Sequence, residues 1–238
     1  MAIEKMLVPI KKGSVSQLII DRITDALVSG ELKPGSKIPT EIEFSESLGV
    51  GRNSVREATK ILESFGVLEV KQSEGTFIAK EFSQKMLDPM VYGVIMQNGD
   101  MSELLEFKLS NLRAVLYMAV SKATQQDIDE LQECYNFLCE TIKSHPEDVK
   151  AIYEANKNFH DTLAKVSENR YMYQINTVIM KISKYSRMEG IRSAINEGKT
   201  DEVANVCKRL LELVKTRDVE SINPVLDKIY EYWMHLLL

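Results

Sequence analysis

Leu48-Gly49-Val50-Gly51-Arg52-Asn53-Ser54-Val55-Arg56-Glu57 is the stretch on which the fold turns. Upstream of it, Thr40 and Glu43 stand in capping-box spacing, which predicts a helix from Thr40 to about Leu48. Gly49 and Gly51 supply the residues a tight turn needs. A second helix then runs to Phe65, capped by Asn53 or Ser54, with Ser54 and Glu57 forming another box. Its apolar positions Val55, Ala58, Ile61, Leu62 and Phe65 share one face, leaving Arg52, Asn53, Arg56 and Lys60 on or beside the other. Gly66 ends the helix. Leu68-Glu69-Val70-Lys71 and Thr76-Phe77-Ile78 read as short strands joined by Gln72-Ser73-Glu74-Gly75. Helix, Gly-bearing turn, helix and hairpin make a winged helix-turn-helix, whose second helix can enter a DNA major groove by its N-terminal end.

Working outward, Ser14 or Ser16 opens a support helix to Ser29, with Ile19, Ile20, Ile23, Leu27 and Val28 apolar and Gly30 at its end. Lys11 and Lys12 precede it on an arm that either touches DNA backbone or is simply solvated. The 238 residues suffice for two modest domains, with the composition of an ordinary soluble protein. The net charge of −5 is wrong for a chain that binds nucleic acid with its whole surface. Residues 1–80 carry equal numbers of acids and bases, so affinity must come from a local patch of Lys11, Lys12, Arg52, Arg56 and Lys71. No export signal and no run of ~18 apolar residues is present, so a cytoplasmic location without a membrane span is expected. Cys134, Cys139 and Cys207 are odd in number and lack a CxxC pair, which suits reduced thiols packed on helices.

After Phe82 the pattern is almost wholly helical. A connecting helix over 84–98 breaks at Asn98-Gly99-Asp100. Ser102 caps a helix to about Ala123, and Thr124 opens another to Ser144. Pro146 starts a helix to Val166, Ser167-Glu168-Asn169 is a turn, and Arg170–Arg187 form the next helix. A short helix lies near Glu189–Glu197, one capped by Thr200 or Asp201 runs to Thr216, and the last begins with Asn223 as cap and Pro224 as first residue. About seven antiparallel helices with short connections make a bundle. The fold class is therefore mainly α: a winged helix-turn-helix over 1–80, a linker and connecting helix over 81–100, and an all-α bundle over 101–238.

Two resemblances follow. Lys33-Pro34-Gly35-Ser36-Lys37-Ile38-Pro39-Thr40-Glu41, Leu48-Gly49-Val50, Arg52, Val55-Arg56-Glu57-Ala58, Leu62, Gly66-Val67-Leu68 and Gly75-Thr76-Phe77 stand in a known order. On these residues 14–80 resembles the DNA-binding domain of the GntR family of bacterial transcription regulators. The resemblance implies that Arg52, Asn53, Ser54 and Arg56 meet bases and phosphates, with Thr40 beside them and Lys71 and Gly75 in the wing. Two departures stand out: Ile42 occupies a position usually held by arginine, and Ser73-Glu74 sits at the wing tip, where Glu74 would repel phosphate. The helices over 85–238, with Asn156-Lys157-Asn158-Phe159-His160 followed by Ser167-Glu168-Asn169, resemble the FCD effector-binding domain of the FadR-like branch.

Many FCD domains hold a metal through one acid and three histidines, and the resemblance puts Asn156, His160, Cys207 and Ile229 at those positions. Two credible donors do not make a site that needs four, so no metal or other cofactor is expected. His160 is then a core histidine, part of a polar effector pocket, or a residual ligand. An effector pocket is expected from Asn156, His160 and Cys207 with Arg113, a cation that would suit an organic anion if it faces inward; Lys108 poses the same question, and a surface salt bridge is the alternative. The expected protein is a sequence-specific DNA-binding transcription regulator, a repressor gated by a small-molecule effector. It should act as a homodimer on a pseudo-palindromic double-stranded operator. The competing reading is a winged-helix protein-interaction module without direct DNA readout, supported by Ile42 and Glu74. No nucleophile elbow, phosphate-binding glycine loop, Rossmann pattern or HExxH is present, and no enzymatic activity is expected.

Overall fold

The computed structural model describes residues 14–81, 84–86, 89, 93, 96 and 101–237. The chain divides into two compact units, Met1–Tyr92 and Gly93–Leu238. The Asn98-Gly99-Asp100 break and the Lys11-Lys12 arm lie outside the described residues.

In the first unit, α1 (Val15–Val28), α2 (Glu41–Leu48) and α3 (Arg52–Ser64) precede an antiparallel hairpin of β1 (Leu68–Lys71) and β2 (Gly75–Ile78). A single 3-10 turn follows at Gln84–Met86. Helix α2 starts at a complete capping box: the Glu43 amide donates to Thr40 Oγ1 at 3.3 Å, and the Thr40 amide donates to Glu43 Oε2 at 2.7 Å. It ends on Gly49 at φ 65°, the left-handed conformation that the tight turn requires. Helix α3 begins two or three residues earlier than its side chains suggest. Gly51, not Asn53 or Ser54, is its N-cap, and no side chain among the described residues caps it. Its end is a Schellman motif, the Val67 amide donating to Leu62 O and the Gly66 amide to Glu63 O, both at 2.9 Å. Ile19, Ile23, Ile38, Val55, Ala58, Leu62, Leu68 and Ile78 form the core. The Gly35–Ile38 segment lies along β2, the Ile38 amide donating to Thr76 O at 2.9 Å and the Ile78 amide to Ser36 O at 2.8 Å. That pairing satisfies the second edge of the short strand.

The second unit holds seven helices among the described residues: α4 (Met101–Lys122), α5 (Gln125–Ser144), α6 (Val149–Val166), α7 (Arg170–Ile182), α8 (Lys184–Asn196), α9 (Asp201–Thr216) and α10 (Ile222–Leu237). Helices α6 and α9 carry the densest runs of buried side chains and form the middle of the bundle, packed on α4, α5, α8 and α10. Thr124 and Asp127 close a second capping box at the start of α5. Arg217, left-handed at the end of α9, donates to Val120 O at 2.8 Å and Ala123 O at 2.6 Å, so its charge sits on the carbonyl end of α4.

Four helix boundaries in this unit differ from the sequence reading. Helix α4 is already formed at Met101, which places Ser102 inside it. Pro146 lies in a turn, and Asp148 caps α6 instead, its carboxylate accepting the Ala151 amide at 2.9 Å. Ile222 opens α10 and Pro224 is its third residue, where the missing N–H would have had no partner in the helix anyway. The helix expected over Arg170–Arg187 is broken at Ser183, whose hydroxyl donates back to Ile179 O at 2.6 Å in the pattern that bends helices. The piece expected near Glu189–Glu197 is thereby joined to Lys184–Arg187 as α8.

Candidate nucleic-acid interface and bundle cavity

Because Gly51 leaves the first turn of α3 uncapped by side chains, the helix presents free backbone N–H groups flanked by exposed Arg52 and Asn53. Ser54 is half-buried, while Arg56, one turn on, is exposed. Val55, Ala58 and Leu62 are buried on the opposite side, so the core fixes which face of α3 looks outward. Arg56 is held: its Nε and Nη2 each lie 3.0 Å from Glu41 Oε2 at the head of α2. That carboxylate raises the guanidinium's pKa, chiefly through the hydrogen bond, and leaves further N–H donors pointing away from the pair. Thr40 is exposed beside Glu41, and Ile42 stays bare at 46% exposure.

In the wing, Lys71 Nζ stands 5.2 Å from the centre of the Phe77 ring and Lys37 Nζ 5.9 Å from it. Two ammonium groups on one aromatic ring make a basic stem, of which the sequence reading had only Lys71. Gly75 has φ 117°, a conformation that side chains rarely adopt, and a Cβ there would lie 2.8 Å from Cε at the flexible end of Lys37. Glu74 is exposed at the tip.

In the bundle, α6 puts Asn156 and His160 on one buried face. Asn156 Nδ2 donates to Cys207 Sγ on α9 at 3.2 Å, and Arg187 Nη1 on α8 donates to Asn156 Oδ1 at 3.1 Å. Arg187 Nε is buried and has no partner among the described residues. Burial pushes the Cys207 thiol up to about 12, against the opposing pull of Arg187, so Cys207 is a neutral thiol. His160 is held well below the usual imidazole range, first by burial and then by the charges of Arg187 and Lys108. Lys108 on α4 is likewise pushed well down by burial and by Arg187.

His160, Lys108 and Arg187 line one cavity of about 40 Å³ together with Asn176 of α7, and Ile229 and Trp233 of α10 are among its apolar walls. Gly190 admits the Trp233 ring: a Cβ there would lie 2.5 Å from Trp233 Cζ3. Arg113 is not part of this cavity. Its Nε donates to Asn223 Oδ1 at 2.9 Å in an exposed contact, because on α4 it sits five residues from Lys108, off the inward face. The inward cations are Lys108, which periodicity alone could not orient, and Arg187, which the sequence reading missed. The break at Ser183 that sets the course of α8 left no signal in the residue pattern.

The four positions where the resemblance implies a metal do not fit one. Ile229 has no donor, Cys207 is protonated, and both polar ends of the Asn156 amide are engaged. Among the described residues no group of three His, Cys, Asp or Glu side chains converges.

A winged helix-turn-helix head on the same chain as an all-α bundle with a polar cavity defines a two-unit regulator-type architecture. Residues 15–78 match the model of bacterial regulatory proteins of the gntR family, and residues 113–231 match the FCD domain. The chain belongs to the GntR family, in its FadR-like, FCD-bearing branch. It is similar to the HTH-type transcriptional regulator LutR of Bacillus subtilis, 32% identical over 145 residues that make up 60% of this chain and 64% of that protein. It is 26% identical over 171 residues to the galactonate operon transcriptional repressor of Escherichia coli, covering 70% of this chain and 72% of that one. Against five of its curated relatives the match spans only 54 to 65% of their length. The Streptococcus agalactiae GntR structure shares the fold with a TM-score of 0.58 at 23% identity, covering 93% of this chain and 96% of that one. No helix among the described residues is long and apolar enough to cross a membrane.

Proposed function

We propose that the chain is a sequence-specific, DNA-binding transcription regulator, a homodimeric repressor whose operator binding is gated by a small-molecule effector held in the bundle. The observation that carries the reading is the open N-terminal end of α3, with Arg52, Asn53 and Arg56 exposed around free backbone N–H groups. That arrangement suits base edges and phosphates at once. Thr40, Ser54 and the wing residues Lys71 and Gly75 complete the proposed contact set, to which Lys37 is added. The acidic balance of the chain favours two heads acting together, since one makes few phosphate contacts. Repression is proposed by analogy with the galactonate relative, a transcriptional repressor.

Gating requires the effector to bind the DNA-competent and DNA-incompetent states with different affinity. The buried polar set around Asn156, His160 and Cys207 supplies the place, since such groups are costly unless satisfied. The test is a mobility shift on DNA from the region upstream of the protein's own gene, repeated at rising salt. Retardation that weakens steeply with salt is expected, and Arg56→Ala should lower affinity roughly 5- to 150-fold while leaving the melting temperature unchanged. Unchanged operator affinity in Arg56→Ala removes Arg56 from the contact set. A monomer in sedimentation that still binds DNA fully removes the dimer.

A further inference from the structure

We propose that Ile42, at the head of α2, reads the 5-methyl group of a thymine by apolar contact and so fixes one base of the recognised DNA sequence. The inference rests on the reading of α3 as the helix that enters the major groove, and it adds a base-specific contact from the neighbouring helix. Ile42 is 46% exposed, whereas Phe44 and Leu48 are the α2 side chains packed on the core. A tie between the two helices sets its place. The carboxylate of Glu41, the preceding residue, holds Arg56 of α3, with Nε and Nη2 each 3.0 Å from Oε2. Adjacent Cα atoms are about 3.8 Å apart, so Ile42 stands beside the pair from which the remaining donors of Arg56 reach outward. Successive bases are spaced about 3.4 Å along a strand, so a base edge met by Arg56 lies within about one or two base pairs of Ile42.

An isoleucine side chain has neither donor nor acceptor, so it can pair with no phosphate oxygen and no polar base edge. The apolar group that a base offers in the major groove is the thymine methyl. The surroundings favour that partner over the DNA backbone. Glu41 and Glu43 occupy the first turn of α2 and Glu46 is exposed one turn on, so this helix end repels phosphate. The hydrogen bonds from Thr40 lower the pKa of Glu43 and keep it charged. The backbone that carries Ile42 is already ordered, by the capping box and by Ser45 Oγ, which donates to Val50 O at 2.6 Å across the turn to α3. A β-branched side chain has few χ1 states to lose on contact.

The test uses the full chain and duplexes that it selects from a random-sequence library, with a parallel selection by Ile42→Ala. The parent should fix thymine at one or more positions that Ile42→Ala leaves open to other bases. Replacing that thymine by uracil, which lacks the methyl alone, should weaken the parent roughly 3- to 10-fold in a mobility shift and Ile42→Ala less than about twofold. At the same position, 5-methylcytosine paired with guanine should bind the parent more tightly than cytosine does. Ile42→Val keeps a branched apolar group and should retain the thymine preference in weaker form. Because Ile42 is exposed, the melting temperature of Ile42→Ala should stay within about 4 °C of the parent's, which separates lost readout from lost folding.

Identical selected sites for parent and Ile42→Ala, a uracil penalty equal in the two proteins, or a loosened position that the parent fixes as a base other than thymine would each overturn the proposal and leave DNA recognition by α3 standing. If Ile42→Ala melts well below the parent, Ile42→Val decides: a stable Ile42→Val protein with no thymine preference overturns the contact. Failure of the parent to enrich any sequence sinks the DNA-recognition reading itself, and this contact with it.

Discussion

Replacing Gly190 by alanine sets two opposed terms against each other at the cavity wall. On helix propensity alone the change should stabilise α8 by about 1 kcal/mol, because glycine in a helix interior is costly. The added Cβ, however, would lie 2.5 Å from Trp233 Cζ3 and 3.0 Å from Cε3, where carbon atoms prefer about 3.5–4.0 Å. The indole is 8% exposed, so it must move by about 1 Å against packed neighbours, and overpacking of that kind costs about 1–3 kcal/mol. The net is a loss of about 0–2 kcal/mol, or a melting temperature lower by a few degrees for a unit of this size. The direction open to the ring is the cavity that Trp233 lines, so the variant should close the site as it relaxes. Differential scanning calorimetry gives the net stability change, and the emission of Trp233, the one tryptophan in the sequence, reports whether the ring has moved. A Gly190→Ala protein that is more stable by about 1 kcal/mol, with Trp233 emission like the parent's, would show that Gly190 makes no room for Trp233.

Three further outcomes are expected. Asn156→Ala leaves Arg187 with no hydrogen bond among the described residues and Cys207 without its amide donor, so urea denaturation should show a loss of about 1–3 kcal/mol. His160 is neutral in the folded bundle, with a pKa well below the 6.5 of the unfolded chain, so the unfolded state binds the extra proton. Stability should therefore fall as pH drops below about 6.5, and His160→Gln should flatten that slope in denaturant titrations at a series of pH values. Cys207 is buried and its thiol is pushed up to about 12, so it should be the last of the three cysteines alkylated by iodoacetamide in the native protein, followed by peptide mass spectrometry.

What could be read from the residues was local in its physics. Thr40 with Glu43 and Thr124 with Asp127 announce helix starts because a cap needs only neighbours within one turn. Gly49 and Gly66 mark helix ends because the left-handed conformation excludes most side chains. The boundaries that went wrong involve competition between nearby candidates. Gly51 displaced Asn53 and Ser54 as cap of α3, Asp148 displaced Pro146 at the start of α6, and Ser183 interrupted a pattern that periodicity carries straight through.

The winged head, the helical bundle and the family were thus determined by the sequence itself, since capping, turn chemistry and periodicity act over a few residues. The sequence also placed Asn156, His160 and Cys207 together through their resemblance to known positions. Which cations face them was decided only by the tertiary structure. Lys108, Arg113 and Arg187 are alike in sequence as charged residues on helices, but the rotation of α4 against its neighbours turns Lys108 inward and leaves Arg113 on Asn223. The course of α8 after Ser183 brings Arg187 against Asn156, 31 residues away in the chain. Helix rotation and crossing are set by side chains from several helices packing at once, and a linear pattern carries no measure of that.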